Sequence, residues 1–291
     1  MSSITERGYM GEVLRIDLTT GLVTKNALDE ANLKKYIGGT GLGLMYLYNE
    51  VPPGVEWSDP ENRLALMSGP LGGTIGGTGL YSVITKGAMT NGGASSQASG
   101  FWGAFIKSSG FDGLVVQGAS KKWIYIYIHD GTAEIRDASY LLGKNTWETQ
   151  EAIEKELGKS RRQLSVTSIG PAGENLVRFA YLMGDRGHVA SHNGVGAVMG
   201  SKKLKAVAVE RGKQKVTVKN REKLNQLHKE LMEKMKAHPL KMWDGTQVTL
   251  ITLGGLGILP IKNYSSPDWS EYENLDGTKA RKYVSNQLIS W

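Results

Sequence analysis

The sequence predicts an α+β chain, with a strand-rich first domain over residues 1–211 and the beginning of a helical domain over residues 212–291. Three observations predict it. Before Arg211, apolar residues recur with period 2. After Asn220 they recur at i, i+3 and i+7. The chain has 38 glycines, and the excess over an average chain scatters through the first 200 residues without a fixed period. A period of 2 puts alternate side chains on opposite faces of a strand, whereas a period near 3.6 marks one face of a helix.

The elements follow in order. Leu14, Ile16 and Leu18 share one face of a strand over 12–18, closed by a Thr20-Gly21 turn into Val23. Residues 29–37 read as a short helix ended by Gly38. Residues 113–117 read as a strand. Ile124, Ile126 and Ile128 share a strand face, and Asp130-Gly131 follows as a hairpin turn, since both central residues of a type I′ turn need positive φ. Residues 133–136 return as the partner strand. Asn145 caps a helix, Glu148 reaches back to it, and Gly158 ends it. Residues 164–169 and 204–210 are further strands. Asn220 caps a long helix with Leu224, Leu227, Leu231, Met232 and Met235 on one face, which reads as core, and Pro239 stops it. A second apolar stretch, 248–259, is interrupted by Gly254-Gly255 and closed by Pro260. The domain boundary falls near 212–218.

Composition narrows the function classes. Cysteine is absent, which removes disulfides and thiolate metal ligands from this chain. No apolar stretch approaches the roughly 18 residues of a membrane span, and residues 1–11 lack a signal-peptide core, so no membrane association and a cytoplasmic location are expected. The formal net charge is +7. Basic residues interleave with acidic ones, and the densest cluster, Lys202, Lys203 and Lys205, reads as a solvated basic surface rather than a nucleic-acid footprint. No internal repeat or low-complexity tract occurs.

Two glycine-rich blocks follow apolar runs: Ser168-Ile169-Gly170-Pro171-Ala172-Gly173-Glu174-Asn175 and Asn193-Gly194-Val195-Gly196-Ala197-Val198-Met199-Gly200-Ser201-Lys202-Lys203. Glycine lets backbone N–H groups approach an anion, so such blocks suit a phosphate cradle; each also suits a tight turn between strands. Glu174 reads as a turn or ion-pair residue. No residue earns a catalytic assignment.

These blocks have company. Gly8-Tyr9-Met10-Gly11-Glu12-Val13-Leu14-Arg15-Ile16-Asp17-Leu18, Tyr36-Ile37-Gly38-Gly39-Thr40-Gly41-Leu42, Ser68-Gly69-Pro70-Leu71, Phe111-Asp112-Gly113-Leu114-Val115-Val116-Gln117-Gly118 and Gly257-Ile258-Leu259-Pro260-Ile261-Lys262-Asn263-Tyr264 occur in the same order. Together they resemble the N-terminal domain and the start of the helical region of the aldehyde ferredoxin oxidoreductase family, the tungsten-pterin enzymes.

The resemblance implies a first domain of two stacked sheets that serves as the base for a tungsten (or molybdenum) bis-molybdopterin, with Mg2+ bridging the pterin phosphates. It implies oxidation of an aldehyde to a carboxylic acid, with oxygen from water and electrons passing through a 4Fe-4S cluster to ferredoxin or an iron–sulfur electron-transfer subunit. A small aldehyde is then the substrate, nucleic acid is not a partner, and a homo-oligomer is compatible. Cofactor-binding positions map onto Gln97-Ala98-Ser99-Gly100 and onto His188-Val189-Ala190-Ser191-His192. In this mapping the Gln97 side-chain oxygen and the Val189 carbonyl serve magnesium, which takes hard oxygen ligands.

Arginine is usual in the family at the positions of Thr40, Leu80, His188 and His192. The phosphate cradle is therefore expected to be electrostatically weaker here, or to be compensated by Lys86, Lys202 or Lys203. The family's Cys-x-x-Cys-x-x-x-Cys motif is expected just after Trp291, so the chain reads as a fragment without its own cluster. Two alternatives stand beside this reading: a related reductase of an aromatic thioester, and a non-catalytic scaffold that has lost the cofactor.

Overall fold

The alternating segments build two six-stranded sheets in the computed structural model, which describes residues 7–238, 247–275 and 279. The chain divides into two compact units, Met1–Lys219 and Asn220–Trp291. In the first unit the strands fall into two consecutive sets. The first set is β1 (Glu12–Asp17), β2 (Leu22–Ala27), β3 (Leu64–Met67), β4 (Tyr81–Lys86), β5 (Gly93–Ala98) and β6 (Gly113–Gln117). They pair in the order β2-β1-β6-β3-β4-β5, with β1 and β6 parallel and the other pairs antiparallel. The second set is β7 (Ile124–His129), β8 (Thr132–Asp137), β9 (Leu164–Ser168), β10 (Leu182–Gly184), β11 (His188–Ala190) and β12 (Leu204–Glu210). These pair in the order β11-β10-β9-β12-β7-β8, with only β7 and β12 parallel.

The expected stacking of the sheets is realised through one shared core. Leu14, Ile16, Leu66 and Val83 from the first sheet and Ile124, Ile126, Ile128 and Val207 from the second lie in a single buried cluster. Each such side chain stabilises the fold by roughly 1.5–3 kcal/mol relative to exposure. A buried hydrogen bond between the Tyr81 hydroxyl and Thr167 Oγ1, 2.9 Å, joins β4 to β9 across that core. The helices α1 (Glu30–Tyr36) and α2 (Gly39–Glu50) cover the outer face of the first sheet, where Leu33, Leu42 and Leu47 meet Val13, Ala65 and Ile84. After α3 (Trp102–Ser108), the helix α4 (Thr146–Leu157) covers the second sheet through Ile153 against Tyr125, Val166 and Ala208. Helices on both outer faces explain why β3, β4 and β6 are buried almost throughout and show little alternation.

Local signals act as read. Asp130 and Gly131 have φ of 45° and 74° between β7 and β8. Asn145 and Glu148 form a complete capping box, and Gly158 ends α4 in the left-handed conformation. The glycine blocks begin two short helices, α5 (Pro171–Glu174) and α6 (Val195–Ser201). At Gly194, φ is 68° and a Cβ would collide with the Arg178 carbonyl oxygen, so this position requires glycine.

Two expectations are corrected. Lys202 and Lys205 are not a solvated surface: both are fully buried. The Lys202 ammonium donates to the carbonyls of Asn62 (2.6 Å), Gly118 (3.1 Å) and Pro60 (3.3 Å), and Lys205 pairs with Glu174 while donating to the Lys144 carbonyl at 2.9 Å. Buried charge is tolerated because each ammonium is surrounded by acceptors. In the second unit, α7 (Arg221–Ala237) is capped by Asn220, but none of its residues is buried, and Leu227 and Leu231 are each more than half exposed. Its apolar stripe is therefore not core here. The helix α8 (Gln247–Gly255) likewise buries none of its residues. Among the described residues no helix is long and apolar enough to cross a membrane.

Candidate functional site

Both segments singled out in the sequence lie on edge strands. Residues 97–98 end β5, the edge of the first sheet, and residues 188–190 form β11, the edge of the second. The two edges adjoin. The His192 N–H donates to Ser96 Oγ at 2.9 Å, and a Cβ placed on Gly100 would lie 3.2 Å from His188 Cδ2. The structure thus brings residues 97–100 and 188–192 to the same corner of the sandwich. Ala98 and Ala190 contribute their side chains to the inter-sheet core, which leaves only their backbone for any ligand.

Beside this corner lies a hollow of about 410 Å³. Its wall comes from the N-terminal turn of α2 (Gly38, Gly39, Thr40, Gly41), from Gly69 and Pro70 after β3, from Leu80, Tyr81 and Ser82, and from Gln97. The residues 188–192 do not line it. A Cβ on Gly69 would meet no atom within 4 Å and would project into open space. The helix α2 has no side-chain cap and no acidic residue in its first turn. Thr40 Oγ1 lies 3.1 Å from Ser82 Oγ and 2.8 Å from Ser95 Oγ, and Gln97 Nε2 donates to it at 3.4 Å. Tyr81 packs against Trp102 with ring centroids 4.9 Å apart and planes tilted by 40°, and burial holds its hydroxyl protonated well above the usual phenol range.

The wall carries no charged side chain. The compensation expected from Lys86, Lys202 or Lys203 is not met, because each ammonium is engaged elsewhere: Lys86 with the Val55 carbonyl, Lys203 with that of Lys121 at 2.9 Å, and Lys202 in its cage. Glu174 is the ion-pair partner of Lys205, as its context suggested. Among the described residues no group of three or more His, Cys, Asp or Glu is placed to hold a metal ion.

A part-buried carboxylate at the corner, Asp185, has no role assigned from the sequence. Its Oδ2 accepts the Phe101 N–H at 2.7 Å, and Ser165 Oγ lies 2.9 Å from both carboxylate oxygens. Burial pushes this carboxyl up, and the Phe101 N–H and Ser165 hydroxyl oppose that shift. Asp185 and Arg186 both adopt positive φ, 47° and 62°, at the tip of the β10–β11 hairpin. Each such non-glycine residue costs on the order of 1–2 kcal/mol. A positive-φ pair without glycine leaves no composition signal, which is why the sequence did not reveal it. The glycines of the hollow, Gly38, Gly39 and Gly69, lie in two of the blocks that carry the family resemblance, but nothing in those blocks assigns them to a site.

A two-sheet α+β base with a glycine-lined, uncharged hollow beside two adjoining sheet edges is the class that fold and site define. The family model described as "Aldehyde ferredoxin oxidoreductase, N-terminal domain" matches residues 13–211, and the chain belongs to that family. It is 38% identical over 283 residues to the tungsten-containing aldehyde ferredoxin oxidoreductase of Pyrococcus abyssi (strain GE5 / Orsay), covering 95% of this chain and 46% of that protein. Against the enzyme of the same name from Thermococcus kodakarensis (strain ATCC BAA-918 / JCM 12380 / KOD1), identity is 40% over 283 residues, with the same shares covered. Among solved structures, the active-site complex BamBC of benzoyl coenzyme A reductase with 1,5-dienoyl-CoA aligns with a TM-score of 0.76 at 40% identity. That alignment covers 79% of this chain and 35% of the matched one. The chain spans about half the length of the curated relatives it matches.

Proposed function

We propose that this chain is the pterin-cofactor base of a tungsten-dependent oxidoreductase that converts aldehydes to carboxylic acids. The observation that carries the reading is the hollow at the uncapped N-terminus of α2, in a chain whose relatives are named tungsten-containing enzymes. Its residues fit a phosphate-bearing group. The α2 dipole favours an anion there, the glycine wall leaves room for it, and no carboxylate lines it among the described residues; the Gly39 N–H already donates to the Ser68 carbonyl at 3.0 Å, so the dipole rather than that N–H carries the attraction. Thr40, Ser82 and Gln97 supply neutral hydrogen-bonding groups. Gln97 donates through its nitrogen to Thr40, which leaves its side-chain oxygen for a hard cation such as magnesium, with the Val189 carbonyl on the adjoining edge strand as the second protein ligand.

The bound bis-pterin metal centre supplies the two-electron redox chemistry, and the protein supplies position and field. A 4Fe-4S cluster would supply the one-electron path to ferredoxin or an equivalent subunit; this chain holds no cysteine, so its thiolate ligands would come from outside these 291 residues. The base domain's own part is to fix the phosphate ends and to cover the inner face of the site with the apolar wall of Leu80, Tyr81 and Pro70.

A second reading is favoured by the benzoyl coenzyme A reductase likeness: reduction of an aromatic thioester by the same kind of centre. Assaying the whole protein with an aldehyde and a viologen acceptor, and in parallel with an aromatic acyl-CoA and a reduced donor, separates the two. Aldehyde-dependent dye reduction supports the first reading. Turnover of the thioester alone replaces it with the second, and tungsten-free, pterin-free protein inert in both assays supports a non-catalytic scaffold.

A further inference from the structure

We propose that Asp185 is a positioning residue that clamps the two adjoining sheet edges into one cradle. Its carboxylate reaches two separate parts of the first unit, the segment after β5 and β9. It accepts the Phe101 N–H at 2.7 Å, it holds Ser165 Oγ of β9 at 2.9 Å, and a Cβ on Gly100 would come within 2.5 Å of its Oδ2. Its own N–H donates to the Val166 carbonyl at 3.1 Å, which seats the hairpin tip on β9. The next residue holds the tip from the other side. Arg186 pairs with Glu151 of α4 at 3.0 Å, and its guanidinium lies 5.8 Å from the centre of the Trp147 ring.

Two consecutive left-handed residues without glycine persist only where the surroundings over-determine them. Here the carboxylate and the guanidinium provide that determination from opposite sides. Residues 97–100 are therefore tied to the β10–β11 hairpin by this carboxylate as well as by the His192 N–H to Ser96, and Asp185 itself does not line the hollow. Asp185 acts through these segments, so it is a positioning residue; its importance for ligand binding rests on the proposed reading of 97–100 and 188–192 as the cofactor cradle.

Two measurements on the whole protein test this. Hydrogen exchange reads the clamp without any cofactor chemistry. D185A is expected to accelerate exchange of the Phe101 N–H and of residues 188–190 by about tenfold or more, as loss of a charge-assisted hydrogen bond requires. Strands β7 and β12 keep their wild-type rates. D185N retains an acceptor oxygen and is expected to recover most of the protection, and S165A to give an intermediate rate even where D185A is too unstable to isolate. Unchanged protection at Phe101, or equal acceleration in β7 and β12, overturns the clamp.

The second measurement is pterin retained per chain after gel filtration of the holoprotein, read by fluorescence after oxidation. Retention is expected to fall several-fold in D185A and to return in D185N. Equal retention in D185A and wild type overturns the positioning role. Wild-type protein that carries no pterin overturns the cofactor reading instead, and the exchange measurement still decides the clamp.

Discussion

Lys202 shows how much of this fold hangs on single polar groups. Its ammonium joins the loop that precedes β3, the exit of β6 and the entry to β12, because its acceptors are Pro60, Asn62 and Gly118. Replacing it with methionine keeps the apolar stem but leaves buried carbonyls unsatisfied, each costing about 1–3 kcal/mol. K202M is therefore expected to lower the urea midpoint markedly. Burial, with Arg63 nearby, pushes the Lys202 amine down to about 7. The folded value lies below the unfolded one, so the unfolded chain binds the extra proton. Wild-type stability relative to K202M is thus expected to rise as pH climbs from about 7 towards 10, by at most roughly 1.4 kcal/mol per pH unit. A flat difference over that window contradicts the assignment.

Glu50 behaves in the opposite range. Burial would raise its carboxyl, but hydrogen bonds from Arg15 and Arg63 outweigh that and hold it below its ordinary value of 4.5. Its stabilising contribution is present above that value and is lost as pH falls through the lowered one. Acid titration of E50Q against wild type is expected to show the two stabilities converging below about pH 4.5.

At the scale of elements, the signals that proved legible are those with a local physical cause. The capping box of Asn145 and Glu148 and the Asp130-Gly131 turn each fix a conformation within a few residues, and both are present. N145A is expected to destabilise the unit by about 1 kcal/mol, read from the denaturation midpoint. The strands β3 and β4 were not legible from alternation, because helices and sheet bury both of their faces. The helix α2 is hidden for a different reason: its first five residues include three glycines, Gly39, Gly41 and Gly43, which lower helix propensity. Packing overrides that propensity. A Cβ at Gly43 would overlap the Ile84 side chain, so glycine there permits close approach of α2 to β4. The same closeness of helix to sheet places the α2 N-terminus in the hollow. The proposed site reads in the sequence as two segments; that these segments meet on two sheet edges does not, since nothing local encodes which edges adjoin.

At the scale of the whole molecule, two sheets of the first unit form a sandwich, and the proposed cofactor cradle lies at one corner of it. The sandwich depends on the shared core, so I126A, which removes a fully buried side chain between the sheets, is expected to cost about 2–5 kcal/mol and to broaden loss of structure across both sheets. Loss confined to the second sheet, read by hydrogen exchange, contradicts a single shared core. Among the described residues no charged side chain lines the hollow, which sets it apart from a site built on arginine and leaves the α2 dipole and neutral side chains to attract an anion. The most direct test of the account is the tungsten and pterin content of the protein purified anaerobically from its own source. The account expects tungsten, or molybdenum, bound in proportion to protein, together with pterin fluorescence after oxidation. Protein free of both metals and of pterin contradicts it.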